Sequence, residues 1–344
     1  MYYSNPSLKF NKNFVEVLNT KLFLFFNFKK LFEQYKNAGP SFILIISAVL
    51  LNIIGVPGIT FNLLLLYVTV KNKNLRGPTN YLLALTAFFE ILHQSAHFVF
   101  LFVAVSGINF INYSTALIFQ LHSIFGLTAA QTAMCSTAFD RLLAVSFSMK
   151  YDQIKIRPYL FVHTFVAFSS GIWMSINAIL FANKYPSIKV TGNMSDLLIL
   201  DMHILHLFMM SLCSLNVIIY LLVWVVVCFH QSTNNINGAQ SDIQSRLLKS
   251  LILIFSIVIG GFVCGTILRP IINIFIILNN IQTWYVKVFE GILTNIGASA
   301  ETPTLYIFSS LYREAFNKEL KKIFCKNYNK NNVVNVIPAL VISN

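Results

Sequence analysis

The feature that most constrains this chain is a succession of seven long apolar stretches, at roughly 41–70, 80–105, 114–146, 159–182, 199–229, 248–279 and 284–311. Each is long enough to cross a hydrocarbon layer about 30 Å thick, which takes about 20 residues of helix. In lipid every backbone polar group must be satisfied internally, so stretches of this length form helices. Composition supports the bilayer as solvent. Hydrophobic residues make up 56% of the chain and charged residues only 11%, against about 25% charged in a soluble domain. The stretches leave only short connections. The expectation is an all-α membrane protein, a seven-transmembrane helix bundle over 41–311 with the lipid bilayer as its surroundings.

Basic residues concentrate on the cytoplasmic side of membrane proteins. With the N-terminus outside, the inner loops hold Lys71, Lys73, Arg76, Arg141, Lys150, Lys155, Arg157, Arg246 and Lys249, and the C-terminal tail adds a further cluster from Arg313 to Lys330. The outer loops and helix ends hold only Lys184, Lys189 and Lys287. The lysines before residue 40 run against this bias, partly offset by Glu16 and Glu33. Two glycosylation sequons, Asn112-Tyr113-Ser114 and Asn193-Met194-Ser195, fall on the side that basic residues avoid, and such acceptors must face the lumen. Both signals predict a multi-pass plasma-membrane protein with its N-terminus outside. Residues 1–40 form an extracellular tail whose apolar run Lys21–Lys29 is too short to span and suits an interfacial segment.

Charge stands at telling places in this apolar frame. Asp140-Arg141-Leu142 closes the third stretch at the predicted cytoplasmic boundary, where charge is tolerated or functional. Asn62 and Glu90 fall at mid-depth of neighbouring segments and must find polar partners there. Tyr312, Phe316, Leu320 and Phe324 recur every fourth residue, one stripe of an amphipathic helix over 312–325 lying in the interface. Cys325 at its end is a candidate for palmitoylation. The Asn/Lys-rich residues 326–344 read as a disordered cytoplasmic tail. The five cysteines show no disulfide framework, and no catalytic or metal-binding motif and no nucleic-acid-binding pattern is present. The chain reads as neither an enzyme nor a cofactor carrier.

These elements resemble, in order and spacing, the rhodopsin-like G-protein-coupled receptors, and most closely the nematode serpentine chemoreceptor class srsx. The resemblance covers about 41–325. It rests on Gly58-Ile-Thr-Phe-Asn62, on Thr79-Asn80 leading to Glu90 where the family has Asp, on Phe139-Asp140-Arg141-Leu142, on Trp173, on Arg269-Pro270, on Thr302-Pro303-Thr304-Leu305-Tyr306 in place of Asn-Pro-x-x-Tyr, and on Tyr312-Arg313-Glu314-Ala315-Phe316 at the start of an eighth helix. The resemblance implies a receptor that transmits an extracellular chemical or peptide signal to a heterotrimeric G protein. It implies that Asp140 restrains Arg141 until activation frees it for the Gα subunit, and that Tyr306, one turn past the kink at Pro303, swings inward to meet Tyr220 near Arg141. It also implies that Asn62 and Glu90 belong to the switching core, with the longer Glu90 leaving a sodium site open.

The outer half departs from the family. The cysteine at the start of segment three is missing, with Ala116 near its place, and the loop 183–198 has none. Ser123 stands near the amine-anchoring aspartate and Leu268 near the tryptophan toggle. Arg269 lies roughly 15 Å below the outer helix end at about 1.5 Å per residue. It either pairs with Glu290 or Glu90, or anchors an anionic ligand with His97 or His122 nearby. Two rival readings remain at this stage: a membrane channel or transporter, and a divergent receptor that no longer signals.

Overall fold

The computed structural model describes residues 31–151, 153–198, 203–233, 260–261, 264, 272 and 280–332. Almost every described residue is helical. The long helices are α1 (Phe42–Lys71), α2 (Pro78–Gln94), α3 (Ala96–Val105), α4 (Tyr113–Ser146), α5 (Ile156–Lys184), α6 (His203–Thr233), α7 (Asn280–Phe308) and α8 (Ser310–Asn332). Helices α2 and α3 form one span of 28 residues, broken at Ser95. The expected sixth stretch lies almost wholly outside the described residues.

The described bundle is arranged around α4, which packs on α2, α5 and α6, while α1 sits between α2 and α7. Among the described residues four spans are long and apolar enough to cross a membrane on composition alone: α1, α2 with α3, α5, and α6 over Leu207–Phe229. Helix α4 is not among them, because its surroundings are protein. Gln120, Ser123, Thr128, Gln131, Ser136, Thr137 and Asp140 on it are all buried. By contrast α5 turns Phe161, Val162 and Phe165 outward, as a face against lipid tails does.

Small residues set the closest approaches. A Cβ on Gly126 of α4 would lie 2.7 Å from the Phe89 carbonyl oxygen and 2.8 Å from the His93 nitrogen. A Cβ on Gly58 of α1 would strike Ser299 of α7 and Gln94 of α2. Small residues that let helix backbones meet are how membrane bundles pack where no hydrophobic force drives helices together.

At the end of the bundle where α4 begins, the predicted outer end, Ile111–Asn112 (β1) pairs antiparallel with Lys189–Val190 (β2), in the register Ile111 to Val190 and Asn112 to Lys189. The Tyr113 amide donates to Ile188 O at 2.7 Å, the Tyr113 hydroxyl to Leu197 O at 2.9 Å, and Gln120 Nε2 to Gly192 O at 2.6 Å. Asp196 accepts from the Thr191 amide at 3.1 Å and from its hydroxyl at 2.6 Å. Hydrogen bonds thus do what the missing disulfide does elsewhere. Residues 31–40, expected as part of a tail, pack on the bundle: Leu31 is buried, Phe32 meets Phe110 edge-on, and Asn109 donates to the carbonyls of Tyr35 and Gly39.

Candidate functional site: a polar core and its two ends

The end of the bundle where α4 closes, the predicted inner end, is built on Asp140, which is fully buried. Thr79 of α2 donates its hydroxyl to Asp140 Oδ2. Tyr151, in the short helical turn Ser148–Tyr151 that follows α4, donates to Oδ1 at 2.8 Å. Burial, reinforced by the Asp140 charge, pushes the Tyr151 phenol up to about 12, so it stays a donor at any physiological pH. Asp140 and Arg141 form no ion pair with each other. Arg141 and Leu142 are half-buried, and the Arg141 Nε is buried without a hydrogen-bond partner. The guanidinium lies in electrostatic range of Tyr220 on α6 and of Tyr312 on α8. Consecutive residues on a helix point about 100° apart, which is why Asp140 can turn to α2 while Arg141 faces α6.

Tyr306 points elsewhere. It is 39% exposed, its hydroxyl donates to Asn317 of α8 at 3.1 Å, and its ring tilts against Phe316. Helix α7 runs through Pro303 without a break. Tyr312 and Phe316 are buried and Leu320 half-buried, as the stripe predicts, and Tyr312 donates to Asn80 at 3.1 Å. The side chain of Cys325 lies outside the described residues.

At mid-depth, Asn62 and Glu90 are both buried but do not bond each other. Asn62 Nδ2 donates to Ala298 O of α7 at 3.2 Å. Glu90 Oε2 meets His93 Nδ1 at 2.9 Å on its own helix. Around them lies a polar layer that sequence reading missed. Gln94 donates to Ser299 at 2.9 Å, Thr302 to Phe61 O at 3.0 Å, and Glu301 is buried within electrostatic range of Glu90. Two signals were present in the sequence. His93 follows Glu90 by three residues, on the same helical face, and Glu301 is an acid inside an apolar stretch.

On the outer side, His97 Nε2 bonds Asn295 Oδ1 of α7 at 2.8 Å. Ser123 is buried, with its hydroxyl 3.3 Å from that of Ser95, and Ser95 in turn meets His122 Nε2 at 2.7 Å. His122 itself is exposed on α4, so the two histidines do not share one pocket wall. Glu290 is buried on α7 with Lys287 and Thr283, a stripe at spacings of four and three residues. Lys287, grouped by sequence with the outer loops, is therefore an interior cation. Arg269, with Leu268 and Pro270, lies outside the described residues. Of the two sequons, Asn112 is exposed, whereas Asn193 is buried and accepts from the Ser195 amide at 3.2 Å.

Comparison with known families gives one finding over most of the chain: the family model described as "Serpentine type 7TM GPCR chemoreceptor Srsx" matches residues 53–320. No curated protein matches the chain significantly.

Proposed function

The chain belongs to the Srsx family of serpentine chemoreceptors, a receptor family and not an enzyme family, and on that premise we propose that it carries an extracellular chemical or peptide signal across the plasma membrane to a heterotrimeric G protein. The supporting observation is the division of labour at the inner end. Thr79 and Tyr151 occupy the Asp140 carboxylate, and the Arg141 guanidinium has no acid paired with it among the described residues. A planar fork of five donors held in a sheltered site is suited to carbonyls and carboxylates of an incoming helix. Asp140 is then a strut that fixes α4 to α2, and Arg141 is the contact for the Gα subunit. Tyr220 lies on the α6 side of Arg141, and Pro303 and Tyr306 form the α7 element that moves toward it on activation. Asn62 and Glu90 tie that motion to the polar layer.

The test uses membranes expressing the full chain, with the Gα class and stimulus first identified from a broad ligand panel. Loss of charge-assisted bonds worth about 1.5–3 kcal/mol should cut nucleotide exchange by Arg141→Ala roughly 10- to 100-fold at unchanged surface expression. Undiminished exchange by that variant sinks the reading. The topology is tested separately. With the N-terminus outside, glycosidase shifts the mobility of the protein, and Asn112→Gln abolishes that shift. No shift in the parent, with Asn112 protected from outside reagents, would place that loop in the cytoplasm and point to a channel-like topology.

A further inference from the structure

The described mouth of the bundle on the water side is filled. Val190, Thr191, Met194, Asp196 and Leu197 are buried, and the turn Met194–Leu197 touches α3, α4 and α7. A ligand arriving from water meets ordered protein there. The wall toward the bilayer is different. At Ser95 the second span breaks, the Phe98 amide bonding Ser95 O three residues back at 3.3 Å, and a polar cluster stands beside it. Ser123 lies inside, Ser95 on the boundary and His122 outside, joined by contacts of 3.3 and 2.7 Å. His122 is nine residues from the outer end of α4, about 14 Å along the axis, inside a hydrocarbon layer about 30 Å thick.

Two exposed stripes stand on the helices that carry this cluster. Helix α4 presents Phe119, Ile118 and Thr115, and α3 presents Phe98, Phe102 and Val105. The exposed surface is aromatic and apolar, and on α4 its stripe continues to the imidazole of His122, four residues from Ile118. The hydrogen-bond network assigns the polarity of that end. The Ser95 hydroxyl donates to Leu92 O at 2.7 Å, so toward His122 it acts as acceptor and Nε2 carries the hydrogen. Nδ1 of the uncharged ring is then an acceptor facing lipid, and it has no hydrogen bond among the described residues. Such an acceptor in hydrocarbon calls for a donor brought by an apolar molecule.

We propose that the exposed face of α3 and α4 around His122 binds a membrane-borne ligand, an apolar molecule carrying a hydroxyl that donates to His122 Nδ1, and that this ligand reaches the receptor from the leaflet on the β1–β2 side. The proposal rests on the receptor reading only in calling the molecule a ligand; its test measures binding and not signalling. The full chain is placed in phosphatidylcholine vesicles with a small fraction of a long-chain primary alcohol that bears a diazirine, and the cross-linked positions are mapped by mass spectrometry. Label should concentrate at Phe98, Phe102, Ile118 and Phe119, several-fold above the lipid-facing residues of α1 and α5. His122→Phe keeps the shape, removes the acceptor and should erase that excess. The methyl ether of the same alcohol, which cannot donate, should show none. Even labelling of all lipid-facing helices overturns the proposal, and so does an excess that survives in His122→Phe.

Discussion

Gly126→Ala is the sharpest probe of how this bundle is held. The added Cβ would sit 2.7 Å from the Phe89 carbonyl oxygen, 2.8 Å from the His93 nitrogen and 2.8 Å from Leu92 Cβ. Two of these are backbone atoms of α2, so no rotamer change can relieve them. Restoring ordinary contact near 3.4 Å means moving α4 and α2 apart by several tenths of an ångström at the level of Glu90 and His93. Overpacking of this kind costs about 1–3 kcal/mol. Against it stands the better helix propensity of alanine, worth about 1 kcal/mol. The contact term wins, and the variant should be destabilised by up to about 2 kcal/mol. Gly291→Ala is the matched control. Among the described residues its Cβ would meet only Leu51 Cδ2, at 3.4 Å, so propensity dominates and the variant should hold or gain stability. The assay is thermal unfolding of the full chain in one detergent, followed by thiol accessibility of buried Cys135 and Cys213. Equal midpoints for the two variants refute the close-packing argument.

Removing the outer clamp should loosen the loop and not the core. Gln120→Leu leaves the Gly192 carbonyl unpaired, and Asp196→Ala strips Thr191 of its acceptor. Each should cost about 1–3 kcal/mol and raise proteolysis between Tyr185 and Leu198, while cleavage at the inner loops stays unchanged. Tyr151→Phe removes a hydrogen bond to a charged group, worth about 1.5–3 kcal/mol. It should also flatten the alkaline limb of stability. The folded phenol lies above its ordinary value of 10.0, at about 12, so its contribution is complete below pH 10 and is lost as pH rises through about 12. Spectrophotometric titration with a pH–stability scan of parent and variant checks this, and an unchanged alkaline limb in Tyr151→Phe counts against the burial of that hydroxyl.

That the chain is an all-α multi-pass membrane protein was legible in the sequence because apolar length is a one-dimensional property. The stripe Tyr312, Phe316, Leu320 was legible for the same reason. What stayed hidden depends on which way a side chain faces. Nothing in Gln94-Ser95-Ala96 signals a helix break, since neither proline nor glycine is present and the break shows only in a tightened turn, the Phe98 amide bonding Ser95 O three residues back. A count of basic residues grouped Lys287 with the outer loops and helix ends, although it is buried about two turns into α7. The adjacency of Asp140 and Arg141 suggests a pair, but helical rotation gives each a separate neighbourhood. The Asn193 sequon is silent about burial, which follows from the turn that Asn193 itself caps.

The polar surface of α4 bears on how the protein is made. Helices α1, α5 and α6 are apolar enough to leave the insertion machinery and rest in lipid alone, whereas α4 and α7 are not. Exposed to hydrocarbon, the glutamines, threonines and Asp140 of α4 would each be penalised. During synthesis α4 must therefore be handed to α2 as it emerges, and wait at the machinery until α5 and α6 close around it. Substitutions that weaken the α2–α4 contact should then show first as chains retained and degraded before reaching the surface, even where the finished receptor would have been stable enough to work.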